Sequence, residues 1–147
     1  VNQAPTQASD YEVLIASGRP WLTLRDCFRS KLATLAIAEC GNNLAAAVTL
    51  GVHETTVFMW KRLGRSDKVT ALPQEVHAAM EHLVARLWAE EKNAQAIILN
   101  LREGLGQAAL KRSADKQTAA MSLRINTLSL HRWVNRVVQS QTPRRSA

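Results

Sequence analysis

The segment CGNNLAAAVTLGVHETTVFMWKRLG, residues 40–64, is punctuated like two short helices on either side of a tight turn. Gly41 stops the helix before it, and Asn42 or Asn43 then offers a side-chain oxygen to cap LAAAVTL. Gly51 breaks that helix, ETTVFMWKRL forms the next, and Gly64 stops it. Ala47 is small enough for the two helices to approach closely, Gly51 supplies the positive φ that a tight turn needs, and Val57 and Trp60 fall on the inward side. These are the geometric demands of a helix-turn-helix. Its outward positions are then His53, Glu54, Thr55, Phe58, Met59 and Arg62.

Upstream, Thr23 with Asp26 three residues on marks a helix start, and Leu24, Cys27, Phe28, Leu32, Leu35 and Ala36 recur at helical spacing up to Cys40. Before it, Asp10 is placed to cap a short amphipathic helix, YEVLIAS, that Gly18 and Pro20 end. Residues 1–9 are polar and aperiodic, the pattern of a flexible arm. Residues 65–73 are polar and end in Pro73, so they read as a linker with the proline at the head of the next helix. From Gln74 the helical pattern is nearly continuous, with a break near Asn93. Asp115 is placed to cap KQTAAMSL, and LSLHRWVNRVV closes the ordered part before a basic tail at 139–147.

A shift of 73 residues brings Arg29, Leu32, Ala36, Ala46, Ala47, Leu50 and Trp60 onto Arg102, Leu105, Ala109, Ala119, Ala120, Leu123 and Trp133. Val52 and Val57 meet Ile125 and Leu130. The second copy of the motif therefore has Ala120 at the close approach, Arg124 in the turn and Leu130 and Trp133 inward. No segment has the period of two that a strand needs. The expected fold is all-α, with two helix-turn-helix units from an internal repeat at 10–64 and 74–138.

Composition narrows the partner. The chain of 147 residues is 46% hydrophobic, enough for a core, and carries a net charge of +7. Residues 1–73 hold eight basic and six acidic side chains, and residues 74–147 hold eleven and six, so the second half is the better match to phosphate. Cys27 and Cys40 lie thirteen residues apart on one expected helix and cannot bridge, which makes them small buried hydrophobes and favours a reducing cytoplasm. No run approaches the ~20 apolar residues of a membrane span. The chain opens on Val1 rather than Met, which points to a processed or trimmed start, and no signal-peptide pattern follows.

Residues 40–64 resemble the Fis-type helix-turn-helix family, DNA-binding modules of nucleoid proteins and of the C-terminus of bacterial enhancer-binding activators. The Gly-Asn before the first motif helix, the Ala-Ala, the Leu-Gly-Val turn and the Thr followed by an apolar residue carry the resemblance. It covers about residues 22–64, with a divergent echo over 95–137. It implies a long preceding helix used for dimerisation, for which LTLRDCFRSKLATLAIAEC is well placed, a bacterial nucleoid location, and double-stranded DNA as partner. The implied function is transcriptional regulation or nucleoid organisation, with the second helix of each motif in the major groove. The residues expected to meet DNA are His53, Thr55, Thr56 and Arg62 in the first motif, and Asn126, Thr127, Ser129, His131, Arg132, Asn135 and Arg136 in the second. Asn126 and Asn135 suit adenine edges and Arg132 suits guanine or phosphate, each bidentate base contact being worth about 1–3 kcal/mol of discrimination. Lys111, Arg112, Lys116 and the C-terminal arginines would hold phosphates.

Two features depart from the family. Glu54, Phe58 and Met59 stand where basic or polar side chains are usual, and Arg124 replaces the turn glycine, at a cost of roughly 1 kcal/mol if the position needs positive φ. Phe58 and Met59 therefore suggest a rival reading, a protein-interaction module that kept the scaffold and lost DNA reading. A recombinase or transposase fragment is a third class, but no acidic catalytic cluster is visible. A homodimer and a pseudo-dimer within one chain both remain open. His77 and Glu81 share a helix face, but His82 points elsewhere and no third metal ligand is near in sequence; no nucleophile and base are spaced for catalysis, and no Gly-rich phosphate loop is present, so no metal, no cofactor and no enzymatic activity are expected.

Overall fold

The computed structural model describes residues 6–135, with side chains from Asp10 onward; Arg136 and the basic tail at 139–147 lie outside the described residues. Within them the chain is all-α, with no strand. The helices are α1 (Thr6–Ala16), α2 (Trp21–Cys40), α3 (Asn43–Leu50), α4 (Glu54–Leu63), α5 (Asp67–Thr70), α6 (Gln74–Glu90), α7 (Ala94–Arg112), α8 (Lys116–Leu123) and α9 (Thr127–Val134).

Three local expectations are corrected. The helix assigned to YEVLIAS begins earlier, at Thr6, so Asp10 is not its cap: it lies inside α1, buried, with Oδ1 3.4 Å from His82 Nδ1 on α6. The long helix starts at Trp21 rather than Thr23, because Pro20, with φ of −69°, already holds the backbone for entry, and Thr23 is buried. The linker at 65–73 contains α5, whose start Ser66 caps by accepting the Val69 N–H, and it is not wholly polar in role: Val69 and Leu72 sink into the core.

The middle of the molecule is a set of four long helices. α1 packs on α6 and α7, and α6 packs on α2. One hydrophobic cluster runs through both halves of the sequence, from Leu14, Leu24 and Phe28 to Leu83, Ile97 and Leu105. The division at 64 and 74 seen in the sequence is therefore not a division of the core. The partnering is reciprocal: α1 lies on the long helix of the second half, and α6 lies on the long helix of the first. The hairpin α3–α4 then sits on α2, and the hairpin α8–α9 on α7.

The hairpins share their local geometry at the 73-residue offset. Asn42 caps α3 by accepting the Ala45 N–H at 2.8 Å, and Asp115 caps α8 by accepting the Thr118 N–H at 2.8 Å. That bond holds the Asp115 carboxyl below its usual range. Gly51 and Arg124 both occupy the left-handed region, with φ of 76° and 58°. In each turn the next N–H reaches back to the first helix, Val52 to Ala47 O and Ile125 to Ala120 O, both at 3.0 Å, which satisfies carbonyls the helix end leaves open. Arg124 is thus the one described non-glycine residue with positive φ. Arg124→Gly is expected to stabilise the chain by about 0.5–1 kcal/mol, read as a melting temperature higher by a few degrees; an unchanged or lower value would show that the arginine side chain compensates for its backbone.

Candidate nucleic-acid interface

In each hairpin the second helix turns one face inward and leaves the other to solvent. Val57 on α4 and Leu130 on α9 are wholly buried, Trp133 nearly so and Trp60 half-buried. Glu54, Thr55, Phe58, Met59 and Arg62 are exposed on α4, as are Thr127, Leu128, His131 and Arg132 on α9. Thr56 and Ser129 occupy the edge of each face and are half-buried. Both surfaces follow from a helical period in which the apolar positions serve the core and the remainder has no partner.

Several residues assigned to DNA also have work within the fold. His53 caps α4, its Nδ1 accepting the Thr55 N–H at 3.1 Å, and Asn126 caps α9, its Oδ1 accepting the Ser129 N–H at 2.7 Å. Asn135 donates from Nδ2 to the His131 carbonyl at 2.9 Å and lies against the His131 ring. Asn126 and Asn135 therefore do not offer a wholly uncommitted amide to a base. Arg132 and Thr127 are exposed on α9, the Thr55 hydroxyl lies 3.1 Å from His53 Nδ1, and Arg62 lies over the Phe58 ring at 5.6 Å.

Between the hairpins, α2 and α7 face each other across a layer of arginine and tryptophan. The Arg29 guanidinium lies 5.0 Å from the Trp60 ring centre. Arg102 lies beside both Trp21 and Trp133, at 5.6 and 5.7 Å, and those two rings meet edge to face at 4.9 Å. Burial, and then the charge of Arg25, push both Arg29 and Arg102 below the ordinary arginine range. One cleft of about 330 Å³ is lined by both guanidinium groups with Val52, Trp60 and Gln95. Another of about 430 Å³ continues from Arg102 to Ser129, Arg132 and Trp133. The repeat had aligned Arg29 with Arg102 and Trp60 with Trp133, which was the available signal for this layer; the pairing of each arginine with a tryptophan depends on the tertiary fold.

Elsewhere, Cys27 Sγ approaches His77 Nδ1 at 4.0 Å, an adjacency of residues fifty apart that the sequence did not suggest. Burial pushes the Cys27 thiol up to about 11, which keeps it protonated near neutral pH and disfavours a nucleophilic role. Cys40 is half-exposed rather than buried and donates to Thr49 Oγ1 at 3.5 Å. Glu81 pairs with Lys31 at 3.1 Å, so His77, Glu81 and His82 each face a different partner rather than one another. Among the described residues no group of three or more His, Cys, Asp or Glu is placed to hold a metal, and no helix is long and apolar enough to cross a membrane. No family model, curated protein or solved structure matches the chain.

Proposed function

We propose that this chain is a DNA-binding protein, a transcriptional regulator or nucleoid-associated protein, built from two copies of one helix-turn-helix unit with α4 and α9 as the helices that enter the major groove. The observation that carries the reading is the matched pair of hairpins, each with a capped first helix, a left-handed turn residue and an outward face on its second helix. The net charge of +7 supports a polyanionic partner. In this reading the chain binds rather than catalyses. Arg132 contributes base or phosphate contacts from α9, and Arg62 contributes from α4.

Fluorescence anisotropy on a random duplex and on a selected pool, at two salt concentrations, tests it. Wild type is expected to bind with strong salt dependence and to enrich one sequence, while Arg132→Ala loses about 1–3 kcal/mol of that selectivity. Arg62→Ala should weaken binding less, because Glu54 already opposes phosphate on that face. No binding at low salt would sink the reading. The rival is a protein-binding surface on α4, favoured by Phe58 and Met59, which are 48% and 58% exposed side by side. In that case Phe58→Ser and Met59→Ser would abolish partner capture and leave DNA affinity unchanged.

A further inference from the structure

The layer between α2 and α7 holds three arginines, Arg25, Arg29 and Arg102, against one nearby carboxylate, Asp26. Among the described residues, neither Arg29 nor Arg102 has a carboxylate within ion-pair distance, and the Nε of each is buried with no hydrogen-bond acceptor. The nearby carboxylate, Asp26, is engaged by Arg25 at 3.4 Å. Cation–π contact with Trp60, Trp21 and Trp133 accounts for where the two guanidinium groups sit. It supplies no acceptor for the buried Nε–H of either group, and an unmet donor on a charged group is expensive. Each guanidinium also carries a terminal pair of Nη donors, the fork that a phosphate oxyanion fills.

We propose that Arg29 and Arg102 form one oxyanion site, and that its ligand is the phosphodiester backbone of duplex DNA between the segments met by α4 and α9. The inference rests on the DNA-binding reading above and adds to it a central contact that neither outward helix face provides. Position points to the backbone rather than to a free anion. The shared cleft reaches Trp60 on α4 on one side, and through Arg102 it continues to Ser129 and Arg132 on α9 on the other. In this reading a duplex held by both helices passes the cleft, and the group it would present there to two half-buried arginines is phosphate. Arg25 lies close enough to act on both groups and raises the local potential further.

The test compares wild type with Arg29→Gln/Arg102→Gln on a selected duplex over a salt series, and on duplexes carrying one neutral methylphosphonate linkage at successive positions. The double variant is expected to bind about tenfold or more weakly, with a salt slope smaller by about 2, one for each phosphate lost. On wild type, which needs no altered fold, neutral linkages at the centre of the site should weaken binding as much as those under α4 and α9; on the double variant they should have no effect. An unchanged slope, with neutral central linkages tolerated by wild type, overturns the proposal while the DNA-binding reading stands. Failure of wild type to bind any duplex overturns that reading and removes DNA as the ligand. A parallel thermal melt with inorganic pyrophosphate separates the remaining source: stabilisation of wild type but not of the double variant keeps the oxyanion site for a free anion, and stabilisation of neither removes the site.

Discussion

Alanine at position 104 is expected to destabilise the chain by about 3 kcal/mol, although the same change in an unpacked helix stabilises by about 1 kcal/mol. Gly104 lies on α7 beneath the ring of Tyr11, and a Cβ there would fall far inside contact distance of three ring carbons. The ring would have to shift within its packing. Tyr11 is 6% exposed, and the Arg86 guanidinium lies 5.7 Å from its centre. α1 would have to lift from α7, and with it the contact by which the first segment of the chain covers the long helix of the second. Thermal melting should show a fall of about 6–12 °C for a chain of this size. The decisive comparison is a double-mutant cycle with Tyr11→Ala. Once the ring is gone, Gly104→Ala should be neutral or stabilising; the same penalty in both backgrounds would place its cause outside the α1–α7 contact.

Trp133→Ala is expected to be more damaging, at about 3–5 kcal/mol, because one side chain serves several contacts. Trp133 joins α9 to α7, meets Trp21 edge to face, and forms one wall for Arg102. Its removal opens a cavity, takes away the edge-to-face partner of Trp21 and leaves Arg102 with one ring in place of two. Against a typical net stability of about 5–15 kcal/mol, such a loss is a large fraction of the whole. The test is a denaturant titration beside amide exchange. The midpoint should drop markedly, and protection should fail first at residues 127–134 and then along α7. A midpoint within experimental scatter of wild type would show that α9 is not held by this ring. Trp60→Ala, at a half-buried position with one stacked arginine, is the milder counterpart.

These two positions show where local reading stops. Within the segment EGLGQ, Gly104 is a helical glycine with a propensity cost, and nothing nearby in the chain announces an aromatic ring ninety-three residues earlier. Trp133 was legible as an inward residue because helical period alone separates it from Arg132. Its meeting with Trp21 was not, because residues more than a hundred apart are joined by packing that no periodicity encodes. Asn126 and His53 illustrate a third case: a polar residue just before a helix serves the backbone first, so an outward position is not automatically a free one.

The amino-acid sequence by itself determined the all-α class, the bounds of α3, α4 and α8 almost to the residue, the left-handed turn at Gly51 and Arg124, and the inward and outward faces of α4 and α9. All of these depend on caps, turn residues and periods contained within a few residues, so the information is local. Only the tertiary structure decided that α1 covers α7 while α6 covers α2, that one core runs through both halves, and that Arg29 and Arg102 share a cleft. An apolar stripe specifies that a helix must be buried but not which helix will bury it, and that choice is made by the packing of the whole chain.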